Sequence, residues 1–356
     1  MTVVAGVGSQ GALGISLSDA RRLVIDLKRP VAWIYWTDLL ASVAVGATAF
    51  ALFPVHDPVS VWAAACVLVA ATAFYRAVLF VHELVHAAEG LRGFSLVWHL
   101  LVGIPLLVPK FIYEFHREHH ASRTYGTAAD GEYVDYATGP RWRVLLTPLT
   151  AVVGLPVFIA RFLVLAPVSW ILPGVRGWVL TRGSALAIDA EFVRPLPAGR
   201  LPRHWLVQEA ACFGYCVLVA VLLATGRIPW IRLAEAYAVI TVVLFVNWLR
   251  VLASHRYESA GAPMSFPDQI LDSVDHTSCA LLAELWAPLG LRYHAVHHLF
   301  PWLPYHALPR ARRRLAAAIP AGGGYWDTAD PSLWATLRRL LARTRKDETI
   351  RKDVRP

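Results

Sequence analysis

Apolar positions in this chain gather into runs the length of whole helices, separated by short polar segments. A bilayer-spanning helix needs about 20 mostly apolar residues. Four runs reach that length: Val31 to Phe53, Val59 to about Val81, about Leu206 to Ala224, and about Trp230 to Ala253. Arg21, Arg22, Lys28 and Arg29 precede the first run, while the link from Pro54 to Pro58 has no Lys or Arg. The excess of basic residues on the cytoplasmic side of membrane helices then puts the N-terminus in the cytoplasm. On that topology the second and fourth runs both return to the cytoplasmic face. Arg227 and Arg232, between the third and fourth runs, count against this orientation but are outnumbered.

Two further apolar stretches resist assignment. Phe94 to Tyr113 contains Gly103, Pro105 and Pro109 and reads as a short re-entrant or interfacial segment. Leu145 to Leu180 contains Pro148, Pro156, Pro167, Pro173 and Arg161, which fits a shallow hairpin or interfacial helices. The expected fold is therefore an all-α integral membrane protein with four transmembrane helices, interfacial helices and a cytosolic helical cap. Residues 1–30 read as a loose cytosolic tail, 31–320 as one membrane domain and 321–356 as a basic cytosolic tail.

Composition agrees. The chain is 56% hydrophobic and 17% charged, against about a quarter charged residues in soluble domains. Its net charge of +9 comes from basic residues flanking apolar runs, with no aromatic-interleaved basic patch, so nucleic acid is not an expected partner. Cys66, Cys212, Cys216 and Cys279 form no CxxC pair and mostly lie in apolar runs, as small buried hydrophobes do. Arginine far outnumbers lysine, which points to a GC-rich bacterial genome and a bacterial inner membrane.

Against this background the histidines stand out. Eight of the 14 fall into His82-Glu-Leu-Val-His86, His116-Arg-Glu-His119-His120 and His294-Ala-Val-His297-His298. Residues three and four apart share a helix face, so each window aims its imidazoles at one region. Eight imidazoles exceed the roughly four ligands of one zinc ion and suit two ions. Imidazole alone fits zinc, copper, iron or nickel. A redox metal suits a membrane face where apolar substrates arrive. A neutral structural role would not need paired and tripled histidines.

The flanks add specificity. His119-His120-Ala-Ser-Arg-Thr124 is followed by Asp130-Gly-Glu132-Tyr133, and the third window by Leu299-Phe-Pro301-Trp-Leu-Pro304-Tyr305. In these features, from about His82 to Leu308, the chain resembles the membrane fatty acid desaturase and hydroxylase family. The resemblance implies that the eight histidines bind two iron ions. It implies a ninth ligand, His255, at the cytoplasmic end of the last spanning helix. It also implies an asparagine one turn before that histidine; here Asn247 stands about two turns before it.

The activity so implied is O2-dependent removal of hydrogen from an unactivated C–H bond of a fatty-acyl or lipid-like substrate. Two electrons come from a separate protein of ferredoxin, rubredoxin or cytochrome b5 type. A second hydrogen removal gives an alkene, the foremost expectation, whereas oxygen rebound gives an alcohol. Glu83, Glu118, Asp130 and Glu132 could orient imidazoles, since ligating histidines usually donate their second N–H to an acceptor.

The remaining polar residues admit plainer readings. His56, His99, His204, His276 and His306 read as structural or solvated. Arg250 is a candidate site residue or a snorkelling arginine. Arg310, Arg312, Arg313 and Arg314 read as a solvated face beside anionic lipid. Two rivals come from other classes. His82-Glu83-Leu84-Val85-His86 matches the HExxH zinc-protease motif, and Pro267 to Asp272 faintly resembles the second metal motif of intramembrane proteases. That reading leaves six clustered histidines idle. A metal transporter would carry ionisable residues along several spans.

Overall fold

The computed structural model describes residues 12–353 other than 88, 89, 138 and 278, with the side chains of 345–353 left aside. The parts of the expected tails at 1–11 and 354–356 lie outside the described residues.

Five helices are long and apolar enough to cross a membrane: α1 (Ala32–Ala51), α2 (Val61–His86), α3 (Arg141–Ile171), α4 (Arg203–Ala224) and α5 (Ile231–Ser254). Four match the expected runs. The fifth, α3, is one helical run where the sequence suggests a hairpin or interfacial pieces. Its prolines remove backbone donors. The backbone absorbs Pro148 within a 3₁₀ stretch (Thr147–Val153) and follows Pro156 with a π stretch (Ala160–Leu165). Phe94–Gly103 is a shorter apolar helix between α2 and the second histidine window. The only strands among the described residues are Asp275–His276 and Ala329–Asp330, paired in parallel.

Helices α1 and α2 pack along each other, and α5 packs on α2 and on α3. Their shared core is aromatic at the end nearest the histidines, where Tyr35, Phe80, Phe94 and Tyr305 meet with ring centroids 5.0–6.0 Å apart. Several charges on the apolar helices are paired, which offsets the cost of placing them there. Arg76 of α2 meets Asp38 of α1 at 2.5 Å. Glu209 of α4, fully buried, takes Arg161 of α3 and Arg176, each at 2.6 Å.

Both expected tails contribute to the packed cap. Leu13, Ala20 and Val24 are buried against Leu299, Phe300, Leu315 and Tyr325, so residues 12–30 are not loose. Ala20 lies on a short helix, Leu17–Arg22, capped by Ser16, with Leu13 before it and Val24 after it. Likewise Leu337 and Leu340, on the helix Leu333–Asp353, pack with Tyr125, Tyr136, Tyr257 and Leu252. The sequence hides this because charges and turn residues break the apolar positions of both segments into stretches too short to signal packing.

Candidate metal centre

Helix α2 continues beyond its apolar run through the first histidine window and presents His82 and His86 on its last turns. The one-turn helix His116–His119 carries the second window, and His294–Leu299 the third. The residue ending α5 is His255, where the backbone turns extended. Asp275 fixes the third helix: its Oδ1 accepts the Ala295 and Val296 N–H groups at 3.0 and 3.3 Å, the free donors of a helix start.

These elements converge so that all nine histidines singled out from sequence meet in two adjacent groups. One comprises His82, His86, His116, His120 and His297; the other His119, His255, His294 and His298. Within each group, one ring nitrogen from every residue lies within 4.8 Å of all the others. The Nε2 atoms run His82–His297 at 2.9 Å, His297–His120 at 3.1 Å and His120–His116 at 3.2 Å in the first group. In the second they run His119–His255 at 3.1 Å, His255–His294 at 2.9 Å and His294–His298 at 3.1 Å.

Hydrogen bonds alone leave part of this cluster unsatisfied. Glu132 Oε1 lies 2.6 Å from His116 Nδ1, and Asp130 lies 2.9 Å from His119 Nδ1. Tyr125 gives its one proton to Asp272 (2.6 Å), so its oxygen accepts from His255 Nδ1 (2.8 Å). A neutral imidazole carries a single N–H. Where Nδ1 holds it, as at His255, Nε2 is a bare lone pair turned into the group. A cation resolves this: metal–nitrogen bonds of about 2.1 Å place neighbouring ligand nitrogens roughly 3 Å apart. His86 Nε2 is buried with no hydrogen-bond partner among the described residues. The donor set thus fits two metal ions, one per group, and its all-imidazole character suits iron, zinc, copper or nickel.

Electrostatics point the same way. Burial first, then neighbouring positive charge, hold His116, His120, His255, His294, His297 and His298 well below the ordinary histidine value. They are neutral, as ligands must be. Burial alone would drive His119 the same way, but the Asp130 carboxylate holds it above the ordinary value.

Three of the sequence-chosen neighbours stand elsewhere. Glu118 pairs with Arg123 at the surface. Glu83 is buried, but its Oε2 accepts from Tyr35 O–H and from Tyr305 N–H (3.1 Å), and its Oε1 is 3.7 Å from His82 Nδ1. A residue adjacent to a ligand along a helix points about 100° away from it, which is why sequence proximity misleads here. Asn247 Oδ1 accepts from Arg250 at 3.1 and 3.2 Å, without touching His255. Asp130 and Glu132, by contrast, do hold imidazoles.

Sequence reasoning missed Tyr125, Asp275 and Gln269, whose amide lies 3.1 Å from His298 Nδ1. Asp272 and Gln269 belong to the stretch that faintly resembles a protease motif. Asp272 is 3.7 Å from His255 Nδ1, and the group holding His82 and His86 is completed by imidazoles alone. Of the histidines set aside, His99 Nδ1 meets Ser95 O at 2.6 Å, His204 meets Glu114 at 2.9 Å, His276 meets Ala253 O at 3.0 Å, and His306 accepts from Val31 N–H at 3.1 Å. None of these joins a group.

Beside the histidines, Tyr113, Glu132, Arg250 and Ile188 form a wall shared with an apolar cavity of about 330 Å³. The cavity runs between α2, α3 and α5 as far as Gly154, Ile240 and Leu244. At 1.5 Å per residue along α5, Ile240 lies about 15 Å from Arg250.

A fatty acid desaturase family model matches residues 60–329. The chain belongs to that family. It is also 36% identical over 345 residues to a ceramide hydroxylase of Caulobacter vibrioides (strain NA1000 / CB15N), a match covering 94% of this chain and 96% of that protein. As a desaturase-family member, the protein is a membrane oxidoreductase of the desaturase and hydroxylase type. Its apolar helices fit a multi-pass membrane protein, and its histidine groups fit a metal site.

Proposed function

We propose that the protein oxidises an unactivated C–H bond in the chain of a ceramide-like lipid, using O2 and two iron ions, with hydroxylation as the outcome. The observation that carries this reading is the division of nine imidazoles into two adjacent groups against an apolar cavity deep enough for a lipid chain. His82, His86, His116, His120 and His297 would hold one iron, and His119, His255, His294 and His298 the other. When bound, the two irons would supply the activation of O2 needed to break a strong C–H bond.

The chain's own residues supply the rest. Glu132, Asp130, Gln269 and the Tyr125–Asp272 pair keep imidazoles oriented. The apolar lining excludes water from the reacting bond. Arg250, its guanidinium held by Asn247, closes the cavity at the histidine end. The basic flank before α1 supports an active site on the cytoplasmic side, and the arginine-rich composition a bacterial inner membrane. Electrons would come from a separate ferredoxin-, rubredoxin- or cytochrome b5-type protein.

Hydroxylation is favoured over desaturation by the match to a hydroxylase along nearly the whole chain. Desaturation remains the second reading, favoured by the family match. Purified protein loaded with iron and given O2, a reductant and a ceramide tests both. A product that gains one oxygen atom supports hydroxylation, and one that loses two hydrogens supports desaturation. Elemental analysis giving about one zinc and no iron, even after reconstitution, would overturn the oxidase reading and revive the HExxH protease.

A further inference from the structure

A second cavity, about 520 Å³ and the larger of the two, adjoins the apolar one. The two share Thr150 and Ile188 as lining, and Ile188 also borders the histidine groups. An amphiphile whose chain fills the apolar cavity would therefore pass Ile188 and place its polar end in the larger space. We propose that this vestibule is the head-group site of the lipid substrate, and that it selects an uncharged head bearing hydroxyl and amide donors over a phosphorylated or thioester-linked one. The proposal rests on the lipid-oxidation reading above and adds to it where the head sits and what it must not carry.

The chemistry of the lining makes the choice. Two carboxylates, Asp189 and Glu191, line the vestibule against one guanidinium, Arg143. An ionised carboxylate is acceptor-only and takes several hydrogen bonds, which suits O–H and amide N–H groups. The same carboxylates placed against a phosphate oppose it by like charge, the repulsive element that specificity needs. The vestibule hydroxyls are already committed: Thr127 donates to Thr124 O at 2.6 Å, Thr147 to Arg143 O at 2.8 Å and Ser259 to Gly126 O at 2.7 Å. These hydroxyls have no proton left to give a phosphate but can still accept, so donors on the head meet acceptors here and on the acids alike. The first two turns of α3 line the vestibule, and there Trp142 is 57% and Leu146 47% exposed. An exposed tryptophan beside leucine at a cavity lip suits entry sideways from the bilayer interface rather than from water.

Binding can be read without any catalysis. Metal-free, full-length protein in detergent is mixed with a short-chain ceramide, its 1-phosphate and the coenzyme A ester of the same acyl chain, and native mass spectrometry scores each complex. The expected result is ceramide bound at least tenfold more tightly than either anionic probe. Asp189→Asn with Glu191→Gln should weaken ceramide binding and shrink that preference to threefold or less. The charge-reversed pair, Asp189→Lys with Glu191→Lys, should favour the phosphate. Asp189→Asn keeps an oxygen for the Glu191 N–H it accepts at 2.8 Å, so the loop should survive, and monodisperse elution checks this. Equal or tighter binding of either anionic probe to the native protein would overturn the head-group assignment and leave lipid oxidation standing. No saturable binding of any of the three would overturn both.

Discussion

Tyr125 donates its phenolic proton to Asp272, and through that bond its oxygen is turned to accept from His255 Nδ1, 2.8 Å away. The pair sets the tautomer of the one proposed ligand that lies outside the three histidine windows. Tyr125→Phe removes the acceptor and leaves His255 free to rotate or to protonate on Nε2. Loss of such a partner typically costs 10–100-fold in metal affinity. Chelator competition on the purified variant should show a drop of about that size in one of two metal ions; unchanged retention would rule out this role.

His297 sits between the His82 and His120 imidazoles of the five-membered group. His297→Ala should lower metal content and oxidation together while the protein still inserts and elutes as the native form does. An active, metal-poor variant would remove His297 from the ligand set.

Glu83 separates the two readings of the first histidine window. Its carboxylate joins α1 to the segment after the third window through Tyr35 and Tyr305. Glu83→Gln should retain measurable lipid oxidation and lose about 1–3 kcal/mol of stability from weakened buried hydrogen bonds. Abolished turnover with full metal content would instead give Glu83 an acid–base role.

Acid should unfold the metal-free protein early. Six imidazoles held neutral by burial take up protons in the unfolded chain as pH falls through about 6.5, but not in the folded one. Stability therefore falls with pH below that point. Burial pushes Glu132 up to about 7 and Asp272 up to about 6, so the folded state keeps their protons and gains on acidification. His119 and Asp275, also held above their ordinary values, add to that gain, but the six neutral imidazoles outnumber these four groups, so the net effect of acidification is a loss. Thermal unfolding from about pH 8 down to about pH 5 should show a falling midpoint that bound metal offsets. A midpoint that rises on acidification would contradict the buried neutral cluster.

Gly154 bounds the far end of the apolar cavity, where an added β-carbon would collide with Leu244 Cδ1. Gly154→Val should push Leu244 into the cavity and shorten the longest lipid chain oxidised, with metal content unchanged. A chain-length profile identical to the native one would mean that the lipid does not reach this depth.

What the sequence disclosed follows from physics that is local along the chain. Histidines three and four apart on a helix announce a shared target, and His255 gives itself away by ending the last apolar run. Asp130 and Glu132 were legible as carboxylates close behind the second window. Glu118 was not, because only the fold shows that its helix turns it toward Arg123 and solvent. Tyr125 and Asp272 lie 147 positions apart, and no periodicity reports a hydrogen bond across that separation. The packing of residues 12–30 was hidden for a related reason: its apolar positions are interrupted by charges and turn residues and form no run long enough to signal a packed element.

The two histidine groups interleave the chain. The five-membered group draws on residues from His82 to His297, and the four-membered group on residues from His119 to His298. During synthesis the early helices can insert in the bilayer one after another, yet neither group is complete until the segment carrying His294 to His298 has emerged and docked. Metal capture on this layout is a late step of biogenesis. A chain stalled before that segment would present four of the five imidazoles of one set but only two of the four of the other, so the second site would stand open beside unprotected lipid.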